Sequence, residues 1–151
     1  MQASVERRML QGVVALASLI PIAAGGMGII SGAAGLNGGH AVATDLESHF
    51  HYLSGLLLAI GIAFASCVPG IEARGARFDV LALLVIGGGL ARLASMLIDG
   101  VPSTGHLAGL GMELVLVPLL VAWRTRVARR MAASGLPPRE APHPLFSRKT
   151  A

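Results

Sequence analysis

"VLALLVIGGGLARLASMLIDG", residues 80–100, is the stretch on which the reading of this chain turns. From Val80 to Ile98 it holds one charged residue, Arg92, among Leu, Ala, Val, Ile, Gly, Met and Ser. A bilayer core of roughly 30 Å is crossed by about 20 apolar residues as helix, and this run has that length. A charge inside such a run is expensive, so Arg92 calls for a partner at its own depth.

Working outward, three further runs qualify: Met9 to Leu36, Phe50 to Pro69 and His106 to Trp123. The composition agrees, with 54% apolar residues, 13% charged residues and 20 glycines in 151 residues. High glycine with low charge is the signature of membrane helices. The connections are short, so sequential helices are expected to be antiparallel neighbours. The predicted fold class is therefore all-α integral membrane: an antiparallel up-down bundle of four transmembrane helices, filling residues 1–130. Residues 131–151, "MAASGLPPREAPHPLFSRKTA", are rich in proline and small polar residues and have little to bury, so a disordered cytoplasmic tail is expected there. The first run begins "ERR" like a secretory signal, but it is far longer than a signal's apolar stretch, and a retained helix is expected.

The isoelectric point near 10.6 invites a nucleic-acid reading. The placement of the charges favours a membrane topology signal instead. Eleven of the twelve Lys and Arg lie at the N-terminus, between the second and third runs, or after the fourth; Arg92 is the twelfth. The loops Gly38–Ser48 and Gly100–Gly105 carry none. Every basic end thus falls on one side, which predicts that both termini are cytoplasmic. The tail's positive charge is expected to keep it near anionic lipid. Cys67 is the only cysteine, so an intrachain disulfide, a CxxC motif and thiol–quinone redox chemistry are all excluded. It reads as a packing residue.

In the first run, Gly25, Gly28, Gly32 and Gly35 recur every three or four residues and form a groove for a neighbouring backbone. The groove serves either packing within the bundle or a homo-oligomer contact. Pro21 and Pro118 are candidate kinks, and Gly87–Gly89 either weakens the third helix locally or lets another helix approach just below Arg92.

Arg92 precedes Asp99 by seven residues, about 10 Å below the helix end. Glu113 follows His106 by seven residues on the returning helix, so the two charges share a depth and are expected to pair. Gly88, Arg92, Ser95 and Asp99 form one helical face; His106, Gly109 and Glu113 form a second; Glu47, His51 and Ser54 form a third, with Tyr52 one position round. The opposite halves, such as "LLLAIGIAFA" and "LVLVPLLVAW", are apolar. These stripes predict a polar pocket open to the extracytoplasmic side, lined by Glu47, His51, Tyr52, Arg92, Ser95 and Glu113. Plain readings stand beside it: a register-fixing ion pair for Arg92 and Glu113, and interfacial histidines for His49, His51 and His106.

The runs "DLESHFHYLSGLLLAIGIAF", "LALLVIGGGLARLASMLIDG" and "HLAGLGMELVLVPLL" resemble a family of small bacterial inner-membrane proteins, domain of unknown function family 4345. The resemblance spans about Leu10 to Arg126 and leaves the tail outside. Its most specific elements are Asp45, "YLSG" at 52–55, "GGLAR" at 88–92 and Glu113. The family pattern often has an arginine where this chain has His51. The resemblance implies a four-helix protein of the bacterial inner membrane and brings no activity with it.

Four functions compete. The leading one is an accessory or small-ligand-binding membrane protein, whose partners are the bilayer and a polar or amphipathic ligand or another membrane protein. The second is a proton-coupled transporter; small multidrug exporters use a glutamate in the first helix, which has none here, leaving Glu113. The third is an intramembrane enzyme using Glu47, His51 and Glu113 as acid–base groups, without a nucleophile or cofactor motif to support it. The fourth is haem binding through His51 and His106, a single pair near the outer surface. No cofactor and no metal are expected, and an enzyme is the less favoured class.

Overall fold

The computed structural model describes residues 2–134. Their regular structure is entirely helical, and four helices are long and apolar enough to cross a membrane. Helix α1 spans Gln2–Leu36 and α2 spans Thr44–Cys67, which runs into a short 3₁₀ turn at Val68–Gly70. Helix α3 spans Gly75–Asp99, and α4 spans Thr104–Ala133 with a π-helical turn at Met112–Leu116. The shortest, α2, has 24 residues, about 36 Å of helix, so even it exceeds the bilayer core.

Each helix outruns its apolar run. The expected starts at residues 9, 50, 80 and 106 move to Gln2, Thr44, Gly75 and Thr104. Apolar periodicity marks where lipid would begin, whereas the helix continues while its backbone groups find intrahelical partners. At the start of α2 the first turn carries Asp45 and Glu47, which the helix dipole favours there. At the end of α4, "RTRVARRMAA" consists largely of good helix formers. The expected tail is corrected at its first residues: Met131–Ala133 complete α4, and Met131 is buried. Residues 135–151, the rest of that tail, lie outside the described residues.

The chain divides into two compact units. One comprises Met9–Val68 and is the α1–α2 hairpin. Its contacts pair residues in reverse order along the two helices. The Gln11 amide donates to the Val68 carbonyl at 2.7 Å, near the open end of the hairpin. Further along, Gly61 leaves room for the Pro21–Ile22 backbone; a Cβ there would lie 2.9 Å from Ile22 N. A Cβ at Gly25 would lie 2.5 Å from Leu58 N, and one at Gly28 would collide with the Ser54 hydroxyl. The glycine groove of α1 is thus filled by α2, the packing use of the two that its spacing allowed. Leu10, Val14, Ala33, Phe64 and Cys67 are the buried apolar residues of this unit.

The second unit comprises the chain through Arg8 and from Pro69 onward, with α3 and α4 as its body. Ile71, Phe78, Leu81, Ala82, Leu120, Val127 and Met131 form its core. All of them belong to the half that carries the arginines. From Leu90 to Leu119 no residue is buried. The hairpin is therefore packed at its basic end and open at the other, where Arg92 lies.

Candidate functional site

Arg92 and Glu113 meet as their matched depths predict. Arg92 Nε donates to Glu113 Oε2 at 3.1 Å and Nη2 donates to Oε1 at 3.2 Å, a two-point contact along one edge of the guanidinium. The side chains keep 36% and 20% of their exposure, so the pair is only half sequestered.

Two local features bring these charges together. Pro118 has no N–H to offer the carbonyl one turn back, that of Leu114, and its ring crowds that carbonyl. The helix answers by widening to π geometry over Met112–Leu116, an adjustment that lets the freed carbonyls find other donors. Glu113 lies in this wide turn. On the facing helix, Gly89 is buried, and a Cβ there would lie 2.8 Å from Glu113 Cβ and 2.9 Å from Leu114 Cδ2. The bulge and the glycine fit each other one turn from Arg92. Single wide turns of this kind occur frequently at functional sites.

The contact with Glu113 uses only one edge of the guanidinium. Nη1 and the second hydrogen of Nη2 have no partner among the described residues. Around them the hairpin is bare: a Cβ at Gly87, Gly88, Gly105, Gly109 or Gly111 would meet nothing within 4 Å. Ser95 is exposed on the face of Arg92, and its hydroxyl donates to Asp99 Oδ2 at 2.9 Å. The His106 ring stands at the start of α4 with Nδ1 2.9 Å from the Ser103 hydroxyl.

In the first unit, the polar stripe of α2 faces the glycine stripe of α1. Gly32 breaks α1 with φ 61° and ψ −175°, a left-handed conformation open to glycine. Past the break, the Ala33 and Ala34 N–H groups both donate to Glu47 Oε2, at 3.1 and 3.3 Å. Glu47 thus caps the last turn of α1. A Cβ on Gly32 would overlap Glu47 Oε1, so the glycine serves both the backbone angle and the approach of the carboxylate. His51 leans on the same group, with Nδ1 2.9 Å from the Glu47 carbonyl and 3.5 Å from Oε1. Ser54, one turn deeper, is buried against Gly28. Tyr52 is 62% exposed and lies in a tilted ring contact with His49.

Of the six residues read as pocket-lining, Glu47 touches His51 in one unit and Arg92 touches Glu113 in the other, while Ser95 and Tyr52 stay exposed beside them. Residues that the charge pattern passed over lie at the basic end. Arg124 is 7% exposed, binds both Asp79 oxygens at 2.9 Å through Nη2, and stacks over Phe78 at 5.9 Å. Gly75 makes the space, since a Cβ there would collide with Arg124 Nη1. Glu72 takes Arg7 at 3.2 Å, and Glu6 takes Arg126 and Arg130 at 3.4 and 2.6 Å. The signal was three acids, Glu6, Glu72 and Asp79, set among the arginines of ends read for their positive charge alone.

Among the described residues, no three His, Cys, Asp or Glu side chains gather as a metal site. The family model for the domain of unknown function DUF4345 matches residues 9–124. No curated protein and no solved structure matches the chain.

Proposed function

The chain belongs to the DUF4345 family, and we propose that it is a small accessory or ligand-binding protein of the bacterial inner membrane. In this reading the four helices form an up-down bundle, both termini are cytoplasmic, and the ends bearing Arg92 and Glu47 face outward. The ligand is a small polar or amphipathic molecule held at Arg92.

One observation carries the reading. Arg92 is anchored by Glu113 on one guanidinium edge and keeps its other edge unpartnered, in a stretch of hairpin where nothing is buried. A charge kept only for architecture is better served when all its donors are satisfied, because each unmet donor in an apolar setting is costly. A carboxylate or phosphate group would complete the open edge with the same two-point geometry that Glu113 uses on the first. Ser95 stands on the same face and is proposed as a further contact. Glu47, His51 and Tyr52 are proposed as ligand contacts of the first unit in its own right, through the exposed His51 ring and Tyr52 hydroxyl. The transporter reading is weaker, because both oxygens of the Glu113 carboxylate are already engaged by Arg92. The enzyme reading is weakened in the same way, since Glu47 is engaged as a helix cap.

The test is water access at the Arg92 face. In a Cys67→Ala background, Ser95→Cys should react with a membrane-impermeant maleimide added outside intact cells. Reaction at a Ser103→Cys control without any at residue 95 would overturn the reading.

A further inference from the structure

We infer that the basic end of the second unit is a docking surface for anionic phospholipids, whose phosphates are received at Arg8, Arg77 and Arg129, each from its own helix. Eight arginines face three acids there. Every one of the acids is taken: Glu72 by Arg7, Asp79 by Arg124, and Glu6 by Arg126 and Arg130. Arg74 is also engaged within the chain. Arg8, Arg77 and Arg129 are left. All three are exposed, and none has a partner among the described residues.

The ion pairs hold these three at one end. Arg8 lies two residues from Glu6, which clasps Arg126 and Arg130, and Arg129 adjoins Arg130. Arg77 lies two residues before Asp79, which clasps Arg124. The acids therefore cross-link the termini of α1, α3 and α4 and leave the surplus charge exposed.

A surface that is merely basic would suit many anions. This one continues into apolar surface along a single helix face. Arg77, Val80 and Leu84 stand at spacings of three and four residues on α3, and all are exposed. A phosphate on the arginine and an acyl chain along Val80 and Leu84 match the two halves of a phospholipid, whereas a soluble phosphate would leave the apolar half uncovered. Anionic headgroups are concentrated in the cytoplasmic leaflet, where the proposed topology puts this end. The inference rests on that reading, and its test separates the two.

The full chain would be reconstituted in phosphatidylcholine nanodiscs with and without phosphatidylglycerol, and retained lipid would be counted by native mass spectrometry. Wild type should retain phosphatidylglycerol over phosphatidylcholine. The preference should fall about fivefold for each arginine replaced in Arg8→Gln, Arg77→Gln and Arg129→Gln, the worth of one cation at an anionic surface. A control with Arg139→Gln, Arg148→Gln and Lys149→Gln removes the same charge from the tail and should lower the preference less than the triple arginine variant does. An unchanged preference in the triple arginine variant overturns the inference, and so does an equal loss in the tail control. Inorganic phosphate alone should not stabilise the wild type against heat in neutral detergent; arginine-dependent stabilisation by it would assign the site to a soluble anion instead. Carbonate extraction of cell membranes reads insertion separately. Insertion without any phosphatidylglycerol preference refutes the docking surface and leaves the membrane reading standing.

Discussion

Replacing Gly32 by alanine should strike two features at once, and the size of the effect can be worked from the geometry. The break at φ 61° and ψ −175° is a conformation that alanine adopts at a cost of about 1–3 kcal/mol. The new Cβ would also overlap Glu47 Oε1, so the carboxylate must withdraw from the Ala33 and Ala34 N–H groups. A hydrogen bond to a charged group contributes about 1.5–3 kcal/mol, and the low end applies because the Glu47 side chain is 32% exposed. Gly32→Ala should therefore cost about 2.5–4.5 kcal/mol in all. Glu47→Leu should cost only the cap, about 1.5 kcal/mol, and Glu47→Gln less, since its amide oxygen can still accept. The double variant Gly32→Ala/Glu47→Leu loses the cap only once, so it should be about as stable as Gly32→Ala alone. Denaturant unfolding in mixed micelles, followed by far-ultraviolet circular dichroism, gives the four free energies. Agreement of the double variant with the sum of the singles to within about 0.5 kcal/mol would refute the idea that Gly32 and Glu47 form one device.

Two more outcomes are expected. Gly89→Ala should destabilise by about 1–3 kcal/mol, because its Cβ presses on the wide turn at Glu113 and Leu114; Gly88→Ala, which meets nothing within 4 Å, should be neutral or stabilising. Thermal unfolding of both in detergent decides it, and equal losses would remove the argument from close approach. Reporter fusions should place Gly38 outside the cytoplasm and Ala151 within it; a cytoplasmic Gly38 or an exported Ala151 contradicts the orientation.

The helices were legible because each rests on a property of its own segment. About 20 apolar residues bounded by charge make a span regardless of what they pack against. Arg92 and Glu113 were legible for a related reason: counting seven residues from each helix end gives depth, and depth alone was enough to pair them. What escaped depends on which faces meet. The Gly25–Gly28–Gly32 stripe and the Glu47–His51–Ser54 stripe were each visible by period, but periodicity says nothing about one stripe being the other's seat. The break at Gly32 looks in sequence like any other glycine in a groove, because the carboxylate that caps it comes from α2. The wide turn before Pro118 follows from a missing donor, yet its fit to Gly89 is a tertiary matter. At the basic end, Glu6, Glu72 and Asp79 were present throughout, and reading that end by its positive charge hid the ion pairs they make. The family adds a shared fold to this picture and no activity, so function must be argued from Arg92 and its surroundings.

If Arg92 serves a ligand as well as the fold, the charge exchange Arg92→Glu with Glu113→Arg should separate the two roles. Arg92→Leu and Glu113→Leu should each cost about 1–3 kcal/mol, less than for a fully buried pair because 36% and 20% of the side chains stay exposed. The exchange variant restores opposite charges at one depth and should recover most of that stability. Native mass spectra of the proteins purified from the same membranes then read the bound compound. An anionic small molecule is expected on the wild type and absent from the exchange variant, whose stability is largely recovered. The same compound at the same occupancy on both proteins, or none on the wild type, would contradict that expectation and leave Arg92 and Glu113 a pair that only holds α3 to α4.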